Sequence, residues 1–459
     1  MNAGEVNGKR FSVIGGARSG VAVAKLLKSH GAKVFVSERT SPEKMRDVVA
    51  LLDGEGIEHE FGGNTEKVLE GEIVVLSPGV PSDLPLVKSA AEKGRRIVSE
   101  VEVASWFCEA PIVAITGTNG KTTTTALTGR MFEDARHPSV VAGNIGLAFS
   151  QVVDQVGSDG AAILEISSFQ LDHIETFKPK VSVWLNVTPD HLDRYDHSYE
   201  KYIASKCRIF ENQAEGDVLV YNIDDETERT NIERHAPPEV EKLIFSVRSR
   251  VDEGAFVEDG VMKVRVAGVE SEVIPVDQIS IRGIHNLYNS MAATLAARVM
   301  GISTASIRAT LKNFKGVEHR LEFAREVNGV VYVNDSKATN VDSVWYALQS
   351  FDRPIVLLLG GRDKGNDYSR LFDLVKQHVK GIVAIGESAD KVISAFGQLV
   401  AVKKSTSMGE AVESASAMAA RGDVVLLSPA CASFDWFENY EHRGRVFKQL
   451  VAELPGKAL

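Results

Sequence analysis

The chain has 459 residues, which is too long for a single hydrophobic core and predicts about two to four domains. Its 52 basic and 62 acidic residues leave a net charge of −10, which argues against a nucleic-acid partner or an anionic membrane surface. The three cysteines show no paired metal spacing, and the sequence has no secretory or membrane-spanning apolar run, so we expect a cytoplasmic protein with reduced thiols.

The first recognisable unit is a strand, helix and strand over residues 11–38. The first strand leads into Gly15-Gly16-Ala17-Arg18-Ser19-Gly20, and the second ends at Glu38-Arg39-Thr40. This order is typical of a dinucleotide-binding fold, although Ala17 stands where the middle glycine of that fingerprint admits a pyrophosphate. Glu38 beside Arg39 also fits a phosphate or uridine ligand. A further strand at 73–76 ends in Ser77-Pro78-Gly79-Val80-Pro81, where α/β proteins place ligand loops.

A phosphate loop opens the second unit, after a linker near residues 108–111. The run Thr116-Gly-Thr-Asn-Gly-Lys-Thr-Thr123 follows an apolar strand and begins a helix. Backbone N–H groups of such a turn and the positive end of the helix hold phosphate oxygens. In such a loop Lys121 would reach the outer phosphates, and a threonine hydroxyl would join a Mg²⁺ shell. Because Ile115 stands where the common pattern has glycine, this is a shorter variant of the loop, and it predicts nucleotide binding.

Candidate metal ligands follow on the next strands of this unit. Glu165 lies in an apolar strand at 161–166, where a buried carboxylate is costly unless it pairs or binds a cation. An acid on a strand beside a phosphate loop is a usual Mg²⁺ partner. His191 follows the strand at 181–185 between two aspartates, which favours a role in a site. Lys206 falls in a predicted helix over 199–213, where a lysine is normally a solvated charge.

The remaining chain predicts a helix that begins in a polar site and then a third α/β unit. Short strands and turns, with a hairpin near 257–261, precede His285, Asn286 and Asn289. The two asparagines lie three residues apart, on one face of the first turn of an Ala-rich helix. The third unit begins at residue 317. Its predicted strands are at 330–333, 355–359, 382–385 and 423–427. Polar clusters follow the first, second and fourth of them, and each cluster falls at the carboxyl end of a strand, which predicts one ligand-facing rim of the sheet.

These motifs together resemble the Mur ligases, and the resemblance covers essentially the whole chain. The most specific segments are Thr116–Thr123, His285-Asn286-x-x-Asn289, His319-Arg320 and Asn334-Asp-Ser-Lys-Ala-Thr-Asn340. Within the family, the segments 334–340, 360–364 and 428–435 are most similar to those of the members that add D-glutamate to UDP-N-acetylmuramoyl-L-alanine.

The resemblance implies an α/β protein of three domains. The expected domains are a Rossmann-like UDP-sugar-binding domain at 1–108, a central P-loop-type ATPase domain at 109–316 and a Rossmann-like amino-acid-binding domain at 317–459. It also implies an acid–amino-acid ligase of peptidoglycan synthesis that forms ADP and phosphate through an acyl phosphate. Its small-molecule partners would be UDP-N-acetylmuramoyl-L-alanine and D-glutamate. Its cofactors would be ATP and two Mg²⁺ ions, and we expect a monomer.

The resemblance further implies roles for individual residues. The UDP-linked substrate would contact Gly15, Ala17, Arg18, Ser19, Glu38, Arg39, Thr40, Gly79 and Asn144. ATP would contact Gly117, Thr118, Asn119, Gly120, Lys121, Thr122, Thr123, Asn286, Asn289, Arg320 and Asp335. The metal ions would be held by Thr122, Glu165, His191 and a carbamylated Lys206. These last three residues, with Lys121, would form the catalytic set. D-Glutamate would lie among Lys337, Thr339, Lys364, Ser433 and Tyr440, where the family often has Phe in place of Tyr440.

Three other readings stay open on the sequence alone. Another amide ligase of the superfamily would differ in its acceptor, for example an L-alanine-adding or diaminopimelate-adding enzyme or a folylpolyglutamate synthase. An NAD-dependent dehydrogenase would rest on residues 11–38, but Ala17 and the second nucleotide loop weigh against it. A phosphate-loop motor or nucleic-acid ATPase is disfavoured by the acidic balance.

Overall fold

The computed structural model describes residues 1–363 and 365–456 and contains three separate sheets flanked by helices. The chain divides into two compact units. One comprises Met1–Ile279 with Tyr288–Phe314, and the other comprises Ser280–Leu287 with the chain from Lys315 onward. In the described part of the chain, no helix has both the length and the apolar character that crossing a membrane requires. The predicted α/β class with three sheet-centred domains is confirmed, while the boundaries at residues 108 and 316 stay predictions.

The first sheet is entirely parallel, with strand order β3-β2-β1-β4-β5. Its central strands are continuous apolar runs because helices can cover both faces of a parallel sheet. The predicted strand–helix–strand unit is confirmed, since β1 and β2 are parallel neighbours joined by α1. The elements are β1 (Arg10–Ile14), α1 (Arg18–Ser29), β2 (Lys33–Glu38), α2 (Arg46–Gly54), β3 (Glu58–Phe61), β4 (Ile73–Leu76), α3 (Pro85–Glu92), β5 (Arg96–Ser99) and α4 (Glu100–Ser105).

The second sheet has nine strands, in the order β14-β13-β12-β11-β10-β9-β6-β8-β7. The strands β6 to β12 are all parallel to their neighbours among one another. Strands β12, β13 and β14 form an antiparallel meander, and its first turn is the predicted hairpin. The elements are β6 (Ile112–Thr116), α5 (Lys121–Asp134), β7 (Ser139–Gly143), α6 (Phe149–Val152), β8 (Ala161–Glu165), α7 (Ser168–Leu171), β9 (Val181–Trp184), α8 (Tyr199–Cys207), β10 (Val218–Asn222), α9 (Glu226–His235), β11 (Glu241–Ser246), β12 (Gly254–Glu258), β13 (Val261–Val266), β14 (Val269–Pro275), α10 (Ile284–Val299) and α11 (Thr304–Asn313).

The third sheet has the order β15-β16-β20-β17-β18-β19, with only its first pair antiparallel. Apolar residues of β17 and β20 form its centre and are buried on both faces. The elements are β15 (Glu322–Val327), β16 (Val330–Asn334), α12 (Val341–Leu348), β17 (Ile355–Gly360), α13 (Phe372–His378), β18 (Val379–Ile385), α14 (Ala389–Phe396), β19 (Ala401–Lys404), α15 (Met408–Met418), β20 (Val424–Leu427) and α16 (Tyr440–Glu453).

A buried carboxylate joins the first two sheets within their compact unit. Glu102, on α4, accepts hydrogen bonds from the backbone N–H groups of Glu175, Thr176 and Phe177 at 2.7–3.0 Å. The Thr176 hydroxyl and the Trp106 indole N–H also donate to it. Burial raises the pKa of Glu102, but the hydrogen bonds led by that of Thr176 outweigh burial and leave the pKa below its ordinary value. The ionised side chain of Glu102 therefore links the two sheets through hydrogen bonds.

Glu102→Ala should destabilise the folded chain by about 2–4 kcal/mol, because it leaves several buried donors without an acceptor. Since the folded pKa is lowered, this contribution is present above the ordinary glutamate pKa and is lost as pH falls through the folded value. Urea unfolding of the full chain at neutral and acidic pH measures both effects. Glu92→Ala, at an exposed position on α3, is the matched control and should change stability by less than about 0.5 kcal/mol. Equal stabilities of the two variants would contradict a stabilising role for the Glu102 hydrogen bonds.

Candidate active site

A cavity of about 460 Å³ lies at the carboxyl ends of the strands of the first sheet. Loops after β1, β2 and β4 form most of its wall, and the loop after β7 of the second sheet completes it. The structure brings together in this cavity all nine residues that were expected to contact a UDP-linked substrate, namely Gly15, Ala17, Arg18, Ser19, Glu38, Arg39, Thr40, Gly79 and Asn144. Their contact with that substrate stays a prediction.

Close packing brings the first turn of α1 to this cavity. Gly15 has φ +96°, and a Cβ there would lie 2.9 Å from the Cβ of Ser77. A Cβ on Gly20 would lie 1.7 Å from the Gly15 carbonyl oxygen, so only glycine allows the helix to approach the strand end this closely. The positive end of a twelve-residue helix therefore lies at the cavity wall, where it favours an anionic group such as a phosphate.

Glu38 holds the cavity loops in place through its two carboxylate oxygens. Oε2 accepts from the Gly16 N–H at 2.6 Å, and Oε1 accepts from the Thr40 N–H at 2.8 Å. Burial raises the pKa of Glu38, but the hydrogen bonds from Thr40 and Gly16 outweigh it and leave the pKa lowered. The ionised side chain thus ties the loop after β1 to the loop after β2.

The phosphate loop lies at the carboxyl end of β6, which is flanked by β9 and β8 in the middle of the second sheet. Gly120 has φ +83° and immediately precedes α5. A Cβ on Gly120 would lie 2.3 Å from the Oδ1 of Asn289, so both the conformation and the space require glycine. The same contact shows that Asn289, expected from the sequence in the nucleotide site, lies directly beside the loop.

The segment after β9 clamps the phosphate loop and contains residues that sequence reasoning missed. Asn186 accepts from the Asn119 N–H at 2.8 Å and donates to the Asn119 carbonyl at 2.9 Å. The Thr118 hydroxyl donates to the Thr188 carbonyl at 3.1 Å and lies 3.2 Å from the Tyr202 hydroxyl. The available signal was that polar residues follow β9, but their role depends on β9 and β6 being neighbours.

Two lysines converge on one carbonyl oxygen of the loop. Lys121 Nζ donates to the Gly117 carbonyl at 2.7 Å and to the Thr118 carbonyl at 2.9 Å. Lys206 Nζ donates to the same Gly117 carbonyl at 2.9 Å. Lys206 is only 1% exposed, so the expectation of a solvated helical charge is wrong. Burial lowers the pKa of Lys206 well below its ordinary value, and the positive charge of Lys121 lowers it further. The site therefore favours a neutral amine at this position.

Glu165 presents a buried oxygen next to this loop, because β8 pairs with β6 and Glu165 lies opposite Ile115. Its Oε1 accepts from the Asn144 side-chain amide at 2.8 Å, and Asn144 also lines the cavity of the first sheet. In the described part of the chain, Oε2 is buried and has no hydrogen-bond partner. A buried carboxylate oxygen without a donor is costly and suits a cation ligand, so the residues present fit a bound Mg²⁺.

His191 follows β9 in the left-handed conformation, with φ +51°. The backbone N–H of His191 donates to Asp190 Oδ1 at 2.9 Å. The His191 ring lies edge-on to the Phe169 ring, with the centroids 5.1 Å apart. Phe169 lies in α7, four residues beyond Glu165 at the end of β8. The two predicted metal ligands therefore lie at the carboxyl ends of strands that flank β6 on either side.

The C-terminal unit gathers a second set of predicted residues. Asp335 is buried and accepts from the Leu321 N–H at 3.2 Å and from the Ser428 hydroxyl at 2.8 Å. Burial raises the pKa of Asp335 to about 6, although the charge of Arg320 opposes this shift. Burial lowers the pKa of His285 to about 4, and Arg320 lowers it further. Arg320 therefore acts electrostatically on both groups. Asn286, on the same segment as His285, donates to the Arg282 carbonyl at 2.8 Å.

The residues expected around D-glutamate are held together by a residue that sequence reasoning missed. Arg443 is buried and donates to the Ser336 hydroxyl at 2.9 Å, the Ser336 carbonyl at 2.8 Å and the Cys431 carbonyl at 3.1 Å. It joins the loop that carries Lys337 and Thr339 to the loop that carries Ser433. Arg443 shares the helical spacing of the buried residues Phe447 and Val451, which was a usable signal.

Tyr440 places its hydroxyl 3.0 Å from Lys337 Nζ, which also lies 4.4 Å from the centre of the tyrosine ring. This contact brings together two of the residues expected around D-glutamate. Thr339 is half-buried and Ser433 is buried, whereas Lys364 lies outside the described residues.

Three family models match the chain in consecutive segments. They describe the Mur ligase MurD-like N-terminal domain at residues 9–99, the Mur ligase middle domain at 115–297 and the Mur ligase glutamate ligase domain at 319–431. The UDP-N-acetylmuramoylalanine–D-glutamate ligase of Salinibacter ruber is 50% identical over 461 residues, which cover 99% of this chain and 100% of that protein. The chain therefore belongs to the Mur ligase family, and its whole length is similar to an enzyme of that name.

Solved structures share the fold at low sequence identity. A pseudomurein peptide ligase type C from Methanothermus fervidus has a TM-score of 0.61 and 18% identity, covering 97% of this chain and 100% of that one. The MurF ligase from Thermotoga maritima in complex with ADP has a TM-score of 0.58 and 16% identity, covering 99% and 97%. These similarities support the fold.

Asp335→Asn should make the chain more stable above pH 7, by up to about 2–3 kcal/mol. The folded pKa of about 6 lies above the ordinary aspartate value, so ionisation of Asp335 costs stability as pH rises through about 4–6. Asparagine does not ionise; its amide oxygen can accept from the Leu321 N–H, and its amide N–H can donate to the Ser428 hydroxyl oxygen. The advantage should vanish near pH 4. Urea unfolding across this pH range measures it. The control is Asp423→Asn, because hydrogen bonds from Ala420 and Lys380 outweigh burial and lower the pKa of Asp423, so this variant should lose stability at pH 7. A destabilised Asp335→Asn at pH 7 would contradict the argument.

Proposed function

We propose that this chain is an ATP-dependent ligase that joins D-glutamate to the L-alanine carboxylate of UDP-N-acetylmuramoyl-L-alanine, a step of peptidoglycan synthesis and hence of cell-wall growth, shape and division. The observation that carries the proposal is that Lys121 and buried Lys206 both donate to the Gly117 carbonyl, beside a Glu165 oxygen that has no hydrogen-bond partner among the described residues. The full-length similarity to the Salinibacter ruber enzyme supports the choice of D-glutamate over the acceptors of other ligases.

Each sheet would hold one reactant. Residues 1–108 would bind the UDP-linked substrate in the cavity, residues 109–316 would bind ATP at the phosphate loop, and residues 317–459 would bind D-glutamate. Asn286, Asn289, Arg320 and Asp335 would contact the adenine, ribose and phosphates of ATP. Lys337, Thr339, Lys364, Ser433 and Tyr440 would contact D-glutamate. We further propose a monomer acting in the cytoplasm, where ATP is available.

The chemistry needs an activated carboxylate, because a carboxylate is a poor electrophile. An oxygen of the L-alanine carboxylate attacks the γ-phosphorus of ATP, which gives an acyl phosphate and ADP. The amine of D-glutamate then attacks the acyl carbon, phosphate leaves with the bonding electron pair, and the amine loses a proton. Lys121, held at the loop by the carbonyls of Gly117 and Thr118, offsets the negative charge of the transferred phosphoryl group.

Thr122, Glu165, His191 and Lys206 would hold the metal ions. When bound, Mg²⁺ supplies positive charge to the phosphate oxygens. Glu165 offers the buried Oε2 that has no hydrogen-bond partner in the described part of the chain. Asn144 orients this carboxylate through Oε1 and also lines the cavity of the nucleotide-linked substrate.

Lys206 would act as a carbamate. A neutral amine adds through its nitrogen lone pair to the carbon of CO₂ and loses one proton, which leaves a carboxylate-like group. Burial beside the Lys121 ammonium favours the neutral amine that this reaction needs. Carbamylation places an anion beside the Lys121 ammonium, and it supplies oxygen ligands of the kind that Mg²⁺ prefers.

The acceptor dependence of phosphate release tests the function. ATP with UDP-N-acetylmuramoyl-L-alanine and D-glutamate should release phosphate at least about 100-fold faster than ATP with UDP-N-acetylmuramate and L-alanine. Lys121→Ala is the control and should lose about 10³-fold or more of the rate, which corresponds to roughly 4 kcal/mol of transition-state stabilisation. Release only with UDP-N-acetylmuramate and L-alanine would contradict the proposal.

Lys206→Ala should be nearly inactive and should regain part of its activity in formate or acetate, because a small carboxylate can replace the carbamate. Lys206→Arg keeps a cation but cannot form the carbamate, and it should stay inactive. Lys121→Ala provides the matched control, since a carboxylate cannot replace an ammonium there. The measurement is the rate of phosphate release against acid concentration. Activity in Lys206→Arg, or the failure of every short acid to restore Lys206→Ala, would rule out the carbamate.

A further inference from the structure

One wall of the nucleotide-sugar cavity is held from outside the first sheet. The loop after β4 contributes Ser77, Pro78, Gly79, Val80 and Pro81 to the cavity lining. Arg194, which follows β9 of the second sheet, donates through Nη1 to the Pro78 carbonyl at 3.4 Å and through Nη2 to the Val80 carbonyl at 2.9 Å. The two terminal nitrogens of one guanidinium therefore bind two carbonyl groups of this loop that lie two residues apart.

The same guanidinium lies on an aromatic ring. The Arg194 Cζ is 4.1 Å from the centre of the Phe169 ring. In the described part of the chain, no Asp or Glu carboxylate forms an ion pair with Arg194, so its charge is directed to the loop carbonyls and this ring. A guanidinium is planar, and stacking on a ring and bonding to two carbonyls fix its position more tightly than either contact alone.

Phe169 also contacts the predicted metal ligand His191. The two rings meet edge-on with centroids 5.1 Å apart, and the Tyr195 ring lies nearly parallel to Phe169 at 6.2 Å. Tyr195 is itself held by its hydroxyl, which donates to Asp172 at 3.1 Å. The Phe169 ring therefore lies in contact with Arg194, His191 and Tyr195 and links the cavity loop to the His191 ring through packed side chains.

We propose that Arg194 is a positioning residue that couples the loop of the nucleotide-sugar cavity to the orientation of His191 through Phe169. The inference deepens the proposed function and rests on it, since it takes the cavity as the site of a UDP-linked substrate and His191 as a group of the reaction centre. Occupation of the cavity then orients His191, a residue of the proposed metal site in the neighbouring sheet.

The first part of the test is the affinity for UDP, measured by isothermal titration calorimetry on the full chain without Mg²⁺. Arg194→Met keeps much of the apolar stem, loses both donors to the loop, and should weaken UDP binding about tenfold. Arg194→Lys keeps the charge but cannot span the two carbonyls, so its affinity should fall between those of wild type and Arg194→Met. Arg130→Met, on the exposed face of α5, is the matched control and should bind UDP like wild type. ADP affinity should stay within about twofold for every variant, which reports a folded first unit.

The second part follows the His191 ring directly by NMR of chains labelled with ¹⁵N-histidine, with the resonance assigned by His191→Asn. ADP is present throughout and keeps UDP away from the phosphate loop. UDP should shift the His191 resonance in wild type. In Phe169→Leu, UDP should still bind, but the His191 shift should be lost.

The outcomes separate the inference from the function on which it rests. If wild type binds UDP and Arg194→Met binds it equally well, or if His191 responds equally in Phe169→Leu, the coupling is overturned while the proposed function stands. If wild type does not bind UDP at all, the assignment of the cavity fails, and the proposed function and the inference fail with it.

Discussion

The loop after β6 of the central sheet is built around two amino groups that share one carbonyl oxygen. Lys121 and Lys206 both donate to the Gly117 carbonyl, and Lys206 is almost wholly buried. Two ammonium ions this close repel each other, and burial adds a desolvation cost for the second charge. The pKa of Lys206 is lowered for both reasons. These surroundings favour a neutral amine at Lys206 beside the ammonium group of Lys121.

Residues that follow the neighbouring strands hold the surroundings of these lysines in place through hydrogen bonds. Asn186 and Thr188 extend from β9 and bond to the loop on one side of β6. Glu165 ends β8 on the other side and is held by Asn144, which also belongs to the cavity wall. The hydrogen bonds of Glu102 also join the first two sheets, and the cavity and the phosphate loop are parts of one compact unit. Groups that must act on the same substrate gain from such fixed spacing, since small displacements of reacting atoms cost rate.

Side chains from distant segments also cross-link the polar loops of the third sheet. Its polar residues lie in loops after parallel strands, where they would spread apart without cross-links. Arg443 fills that role as a buried cation that donates to main-chain carbonyls and to a serine hydroxyl. Burial lowers the pKa of Arg443 to about 10, so the side chain remains charged near neutral pH. Asp335 is subject to opposing effects in this unit. Burial disfavours its ionised form, whereas the charges of the nearby arginines stabilise that form.

The nine residues that line the cavity of the first sheet were expected from the family resemblance, and their contact with a UDP-linked substrate stays a prediction. Local patterns in the amino-acid sequence were enough for the α/β class and for the strand, turn and helix around residues 112–134, because each depends on a short segment. The strand at Ile73–Leu76 and the loop after it were predicted within one residue for this reason. Other features required the folded chain. Lys206 has the sequence context of an exposed helical lysine, and only the packing of α8 under the loop buries it. Asn186, Arg194 and Arg443 act on segments 67 to 116 residues away, so their roles follow from strand order and helix packing. Periodicity and composition describe which face of an element is buried, whereas the partner of that face is decided by tertiary contacts between distant segments.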